Sequence, residues 1–411
     1  MSPSPSPSAM PDPAAAWSVL LEPRFVRLWF GTTASGLATW ALPFVLGLAV
    51  LEGSLDAVGL GVVLATRTVG FLAAVPLAGV LADRYARRPV VLASGLAAAA
   101  ATPLIALGLG TSVLLMAVAA AVAGAGQGAC RPAFQALTAE VVDPDRRQTA
   151  NAAITLAVRV STLLGPTLAA LFALLTSVQT VLLGIAALWL LAALLPPAGG
   201  AAPTVAGPRP GVVREFADGF VEARRHPWFG AGLAALTAVV FTGYSVTGVA
   251  LPLVSRDVYG SEVVLAAAAT GYTVGALLGA LLVARWRPSS PGWWAMAGLG
   301  VYALAPLALL LTPHPAFVVA AYVVAGVGIE VFNVPWFTAI QREVEPRLLA
   351  RVSSVDFLFS YGLAPVGLAL IAPAILTFGL TPVLAVCAVV CLAAPALACL
   401  VPSTRRFARA V

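Results

Sequence analysis

The chain has 411 residues, 60% of them hydrophobic and only 10% charged, with a formal net charge of +6. An ordinary soluble domain carries about 45–50% apolar and about 25% charged residues, so these figures exclude a soluble multi-domain enzyme. All 23 basic residues are arginines, which removes the phosphate-cradling P-loop and Schiff-base chemistry, since both need lysine. The two histidines, His226 and His314, each adjoin a proline at the edge of an apolar run. Neither belongs to a zinc motif or a hydrolase triad, so no enzyme activity, metal or cofactor is expected. Cys130, Cys387, Cys391 and Cys399 lie within apolar stretches and read as packing residues.

Residues 1–24 read as a disordered tail, Pro/Ser-rich at its start and without the basic region of a signal peptide. Six apolar runs follow at about 28–51, 57–82, 89–109, 111–138, 150–175 and 177–195. A second six lie at about 228–254, 262–286, 292–312, 314–340, 350–375 and 377–401, before a tail at 402–411. Runs of this length, without the ten-residue alternation of a barrel strand, must be helices that satisfy their own backbone groups in lipid. The expected fold is therefore an all-α membrane protein of twelve spans in two six-helix bundles, 25–195 and 228–401, with both termini on one side. Between them, 196–227 begins as a Pro/Gly/Ala linker and ends as a short amphipathic helix with Phe216, Phe220 and Ala223 on one side.

The arginines orient this arrangement. With the N-terminus inside, inner loops and tails hold 19 of them, the outer loops hold Arg256, and Arg67, Arg131 and Arg159 lie within runs. That asymmetry places both termini in the cytoplasm and explains the net charge without a nucleic-acid partner. Trp17, Trp228, Trp286, Trp293 and Trp294 fall near run ends and read as interfacial anchors.

The halves repeat each other. Ala41-Leu42-Pro43 recurs as Ala250-Leu251-Pro252, Gly126-Gln127-Gly128 as Gly326-Val327-Gly328, Val142-Asp143-Pro144 as Val344-Glu345-Pro346, and Gly165-Pro166 as Ala364-Pro365. Four matches in the same order mark a duplicated six-helix unit. Two parallel halves are the plan of one large class of secondary transporters, with the substrate site between them near the bilayer midplane. Small residues at 124, 126 and 128 follow no strand and read as a close helix contact rather than a nucleotide loop.

The loop between the second and third runs reads Gly79-Val-Leu-Ala-Asp83-Arg84-Tyr-Ala86-Arg87-Arg88-Pro89. It resembles the signature loop of the major facilitator superfamily, with Ala86 where that family usually has glycine. Glu330-Val-Phe-Asn333-Val-Pro-Trp336, Leu348-Leu-Ala-Arg351-Val-Ser-Ser354-Val-Asp356, Pro365-Val-Gly367, Arg131-Pro132-Ala133-Phe134 and Ala150-Asn151 are similar to the drug-efflux branch that includes macrolide and enterobactin exporters. The resemblance implies a monomer of the bacterial plasma membrane that exports a small drug-like or secondary-metabolite compound in exchange for protons by alternating access. The antiporter motif of that branch survives only as Gly165-Pro166. An importer or facilitator, or a transport-dead sensor or scaffold, stays open as an alternative.

The resemblance also implies a gating set of Gly79, Asp83, Arg84, Arg87, Arg88 and Arg351, in which Asp83 faces the start of the eleventh run near Arg351 when the inner gate is shut. The plain alternative for the arginines is a membrane-surface anchor. Proton-coupling candidates are the charges within runs: Glu330 with Arg131, at nearly equivalent places in the repeat, and Asp356 and Arg159, likewise near-equivalent, for which a structural or gating role is the alternative. A carboxyl that moves between a dry setting and an arginine's side loads and releases a proton. A static pair, or an Arg131 that snorkels to the interface, is the alternative. The substrate-cavity candidates are Arg67, for an anionic group on the substrate, with Thr39, Trp40, Phe44, Tyr244, Phe332, Asn333 and Trp336, on runs that line the cavity in that family. Deep aromatics equally serve as helix packing.

Overall fold

The computed structural model describes residues 18–84, 86–199, 211–286, 288–311, 314–360 and 362–408. The N-terminal half holds α1 (Pro23–Leu51), α2 (Ala57–Arg84), α3 (Arg87–Gly108), α4 (Val113–Val141), α5 (Arg147–Leu175) and α6 (Val178–Leu194). The linker contributes α7 (Val212–Arg224). The C-terminal half holds α8 (Pro227–Val239), α9 (Ser245–Asp257), α10 (Glu262–Arg285), α11 (Pro291–Val301), α12 (Leu304–Leu311), α13 (Pro315–Glu343), α14 (Leu349–Ser360), α15 (Ala364–Phe378) and α16 (Leu380–Ala398). Among the described residues, eleven helical stretches are long and apolar enough to cross a membrane, and the shorter Val178–Leu194 is equally apolar.

Local chemistry sets the helix ends. Ser112 accepts a hydrogen bond from the Leu115 amide and Ser177 from the Thr180 amide, starting α4 and α6. Pro23, Pro227, Pro291 and Pro315 take first-turn positions where the missing N–H costs nothing. Gly379, at φ 85°, turns the chain from α15 into α16 in a single residue.

Three spans of the C-terminal half are interrupted. Val240–Tyr244 forms a π turn between α8 and α9, where Gly243 sits against Cys391 and Tyr302. The break between α11 and α12 precedes Pro306, whose ring opposes the carbonyl of Tyr302. α14 ends at Ser360, and Pro365 stands in the first turn of α15, where its missing N–H costs nothing.

Within each half the same pairs pack, α2 on α4 and α10 on α13, through glycines. The carbonyl of Arg67 lies against Gly124 and that of Tyr272 against Gly326. The carbonyl of Ser94 lies against Gly126 and that of Gly298 against Gly328, while Gly165 packs on α1 as Gly367 packs on the π turn. Positions 124 and 326, 126 and 328, and 165 and 367 are each 202 apart in number. The structural repeat is thus shifted by two residues from the alignment of Gly126 with Gly326. Three alternate glycines at 124, 126 and 128 admit two registers, and only packing chooses between them.

Part of each segment read as a tail is folded. Ser18–Leu21 form a helical turn with Val19 fully buried, Glu22 pairs with Arg146 and Pro23 opens α1, so residues 18–24 are folded and not a disordered tail; residues 1–17, including Trp17, lie outside the described residues. At the other end Pro402–Arg405 form a turn that leads Phe407 into the C-terminal half. The linker's described part forms α7, which lies on both α2 and α14 and so straddles the halves; residues 200–210 and the Phe216 side chain are outside the described set.

Candidate functional site

The halves meet along two seams, α2 against α14 and α5 against α10. At the arginine-rich end both seams are sealed. A Cβ on Gly79 would run into Ser354 and the Ala350 carbonyl, so glycine here lets α2 and α14 touch. Arg87 is buried, ion-paired with Glu140 of its own half, and donates to the Pro346 carbonyl of the other. Arg147 donates to the carbonyls of Ala139 (2.7 Å) and Gln341 (3.0 Å). Gln148 donates to those of Val283 (2.6 Å) and Trp286 (2.8 Å).

Asn151 and Gln341 exchange amide hydrogen bonds of 2.9 and 3.2 Å. Asn151 also donates to Thr338 (3.0 Å), and Gln341 to Gln135 (3.1 Å). Gln135, Gln148 and Gln341 lie outside the expected site, and Arg147 was expected only among the arginines of the inner loops. Polar residues one or two turns inside a span on the inter-half seams are the signal that would have found them.

Of the other gating candidates, Arg88 donates to the Leu194 carbonyl within its own half (3.1 Å). Arg351 lies 3.8 Å from Asp218 of α7, and Gly219 stands against its backbone, so the linker helix covers it. The side chains of Asp83 and Arg84 lie outside the described residues, and with them the expected approach of Asp83 to Arg351.

Deeper in, Glu330 is fully buried and its partner is Arg159 from the other half, with Nε and Nη2 both 2.6 Å from Oε1. Asn333 donates to Oε2 at 3.4 Å, and the Arg159 guanidinium lies 5.7 Å from the centre of the Tyr272 ring. This corrects the expected partnership of Glu330 with Arg131. In the 202-residue register Glu330 corresponds to Gly128 and Arg131 to Asn333, so the two charges sit about one turn apart in the repeat. An isolated charge at such depth costs at least about 2.5–3.5 kcal/mol, and the Arg159–Glu330 pair offsets that cost on both sides of the seam.

The carboxylate of Asp356 accepts from the indole of Trp336 at 3.0 Å, within its own half. Arg67 extends between α1 and α4, where Nη2 donates to the Thr39 carbonyl (3.0 Å) and to Gln127 (2.7 Å). The charge of Arg131, one turn further along α4, bears on it.

The aromatic candidates divide. Phe332 and Trp336 are fully buried inside the C-terminal half, stacked with each other (5.3 Å) and packed with Phe229, Trp228 and Phe407. They form a core and no cavity wall. Trp228 belongs to that core and is not an interfacial anchor, because the folded tail brings Phe407 to within 5.5 Å of it. Thr39 is buried and serves through its carbonyl. Trp40 packs on Gly165, with its indole N–H buried and unpartnered. Phe44 and Tyr244 are exposed, at 37% and 50%.

Beyond Arg159 and Glu330 the interface helices lose their cover. α14 is buried on nearly every side, whereas α15, its continuation, exposes Val366, Leu368, Leu370, Leu376 and Phe378. The far half of α5 likewise exposes Leu163, Leu164, Leu168, Leu171 and Phe172. The cross-half bonds named above all lie between the arginine-rich end and the level of Glu330. Among the described residues the halves are tied together at that end.

The sequence profile of the Major Facilitator Superfamily matches residues 28–366 and 233–410. No curated protein sequence matches the chain. In fold it is similar to the human organic anion transporter MFSD10 (TETRAN), with a TM-score of 0.75, 16% identity, and coverage of 92% of this chain and 99% of that one. The chain belongs to the major facilitator superfamily and is, by that membership, a membrane transporter of a small solute.

Proposed function

We propose that the chain is a proton-coupled exporter of a small drug-like or secondary-metabolite compound, working by alternating access. It has twelve spans, both termini in the cytoplasm, and acts as a monomer in a bacterial plasma membrane rather than as an enzyme. The observation that carries this reading is the Arg159–Glu330 ion pair, because it is buried, lies at mid-depth and joins the two halves. Protonating Glu330 deprives Arg159 of its counter-charge and releases one tie across the seam, so proton loading and the opening of the closed end become one event. The cytoplasmic placement of the closed end is supported by the arginines at the α2–α3, α4–α5 and α13–α14 junctions. Export is supported by the likeness of the Glu330 to Trp336 and Leu348 to Asp356 segments to the drug-efflux branch.

Comparing wild-type cells with cells lacking the gene tests the direction. Export predicts that the deletion strain retains at least one metabolite or accumulates at least one toxic compound, and that the plasmid-borne gene reverses this. A strain that instead fails to take up a compound reveals an importer and overturns the reading.

A further inference from the structure

Five ionisable side chains lie inside the spans, three arginines and two carboxylates. Both carboxylates are engaged elsewhere: Glu330 with Arg159 and Asn333, Asp356 with the indole of Trp336. Arg67 has neutral acceptors only, the Thr39 carbonyl and the Gln127 amide oxygen, both on one of its nitrogens, Nη2. Its Nε and Nη1 make no hydrogen bond with the described residues, and the side chain is partly exposed.

The place is central. Thr39 and Gln127 lie near the middles of α1 and α4, each 29 residues long. In the structural repeat Arg67 takes the position of Tyr272, because each carbonyl stands against the equivalent glycine, 124 or 326. The Tyr272 ring touches Arg159 of the opposite half, so this position borders the cleft between halves. A guanidinium fixed by two neutral acceptors, with a second arginine adding positive potential, keeps an uncompensated charge that an anion neutralises.

We propose that Arg67, held by Thr39 and Gln127, binds an anionic group of the transported solute, a carboxylate, sulfonate or phosphate, so that the substrate is an organic anion. Nε and Nη1 lie on opposite edges of the guanidinium, each beside the occupied Nη2, so such a group accepts from one of them and is held by the positive charge there. The proposal rests on the transport reading above but not on proton coupling or on the direction of flux.

The test uses the full-length protein in lipid nanodiscs, with unfolding followed by tryptophan fluorescence. The probes are naphthalene-2-sulfonate, 2-naphthoate and indole-3-acetate, each against its neutral amide, in chloride-free buffer. At least one acid raises Tm in a saturable way and its amide does not. Arg67→Gln weakens that acid about tenfold or more, whereas Arg67→Lys, which keeps the charge, retains it within a few fold. Equal effects of acids and amides, no shift with any acid, or an unchanged apparent affinity in Arg67→Gln overturns the proposal. So does stabilisation by chloride alone to the same extent, which marks a structural ion site. Loss of proton coupling in Glu330→Gln leaves the preference for acids intact, so failures of the two readings are distinguishable.

Discussion

Replacing Gln341 with alanine removes the amide that joins three helices at the closed end. The side chain exchanges two hydrogen bonds with Asn151 (2.9 and 3.2 Å) and donates a third to Gln135 (3.1 Å). Asn151 keeps its bond to Thr338, so the substitution leaves no buried amide wholly without a partner. Neutral hydrogen bonds contribute about 0.5–1.5 kcal/mol each, and water replaces them when this end opens, so the closed state loses about 2 kcal/mol relative to the open one. That is about a 30-fold change in the ratio of the two states. A wild type open at this end in about 1% of molecules becomes open in roughly a quarter of them. Spin labels at Asp145 and Glu345, exposed sites in opposite halves, report the change as a second, longer distance in pulsed electron resonance, once the four buried cysteines are replaced. A distance distribution identical to that of wild type refutes the role assigned to the Asn151–Gln341 lock.

Gly79→Leu places a branched side chain where Ser354 and the Ala350 carbonyl already stand, so transport falls to background while membrane insertion is kept; flux in vesicles matched for protein content checks this. Phe407→Ala empties a fully buried site between Trp228 and Trp336 and costs about 3–5 kcal/mol. Its Tm by tryptophan fluorescence falls by about 5 °C or more, and a change under one degree shows that the tail is not part of the core.

Hydropathy alone places the spans to within a few residues, since lipid leaves helices as the only way to satisfy these backbones. The arginine count likewise marks the end at which the halves close, because Arg87 and Arg147 reach carbonyls of the opposite half there. The pairing of charges was not legible. It depends on the rotation and register of helices 171 residues apart in sequence, and the three glycines at 124, 126 and 128 fit the repeat in two ways. Phe332 and Trp336 look like cavity residues by their span, yet burial follows which side of α13 faces Trp228 and Phe407. A short tail after the last apolar run carried no hint that its Phe407 would fill that space. The seam amides were not legible because Gln148 and Gln341 lie where interfacial polar residues are ordinary, and only the opposing half gives them partners.

In the proposed function, Glu330 couples proton movement to the opening of the halves through Arg159. The most direct measurement uses proteoliposomes holding a pH-sensitive dye and a transported compound identified from the deletion strain. A pH gradient imposed across wild-type vesicles drives the compound against its concentration, and adding the compound moves protons the other way. With Glu330→Gln, which keeps the shape but cannot carry the proton, gradient-driven accumulation is abolished while exchange of labelled for unlabelled compound continues. Accumulation that persists in Glu330→Gln, or wild-type flux indifferent to the gradient, contradicts proton coupling through Glu330.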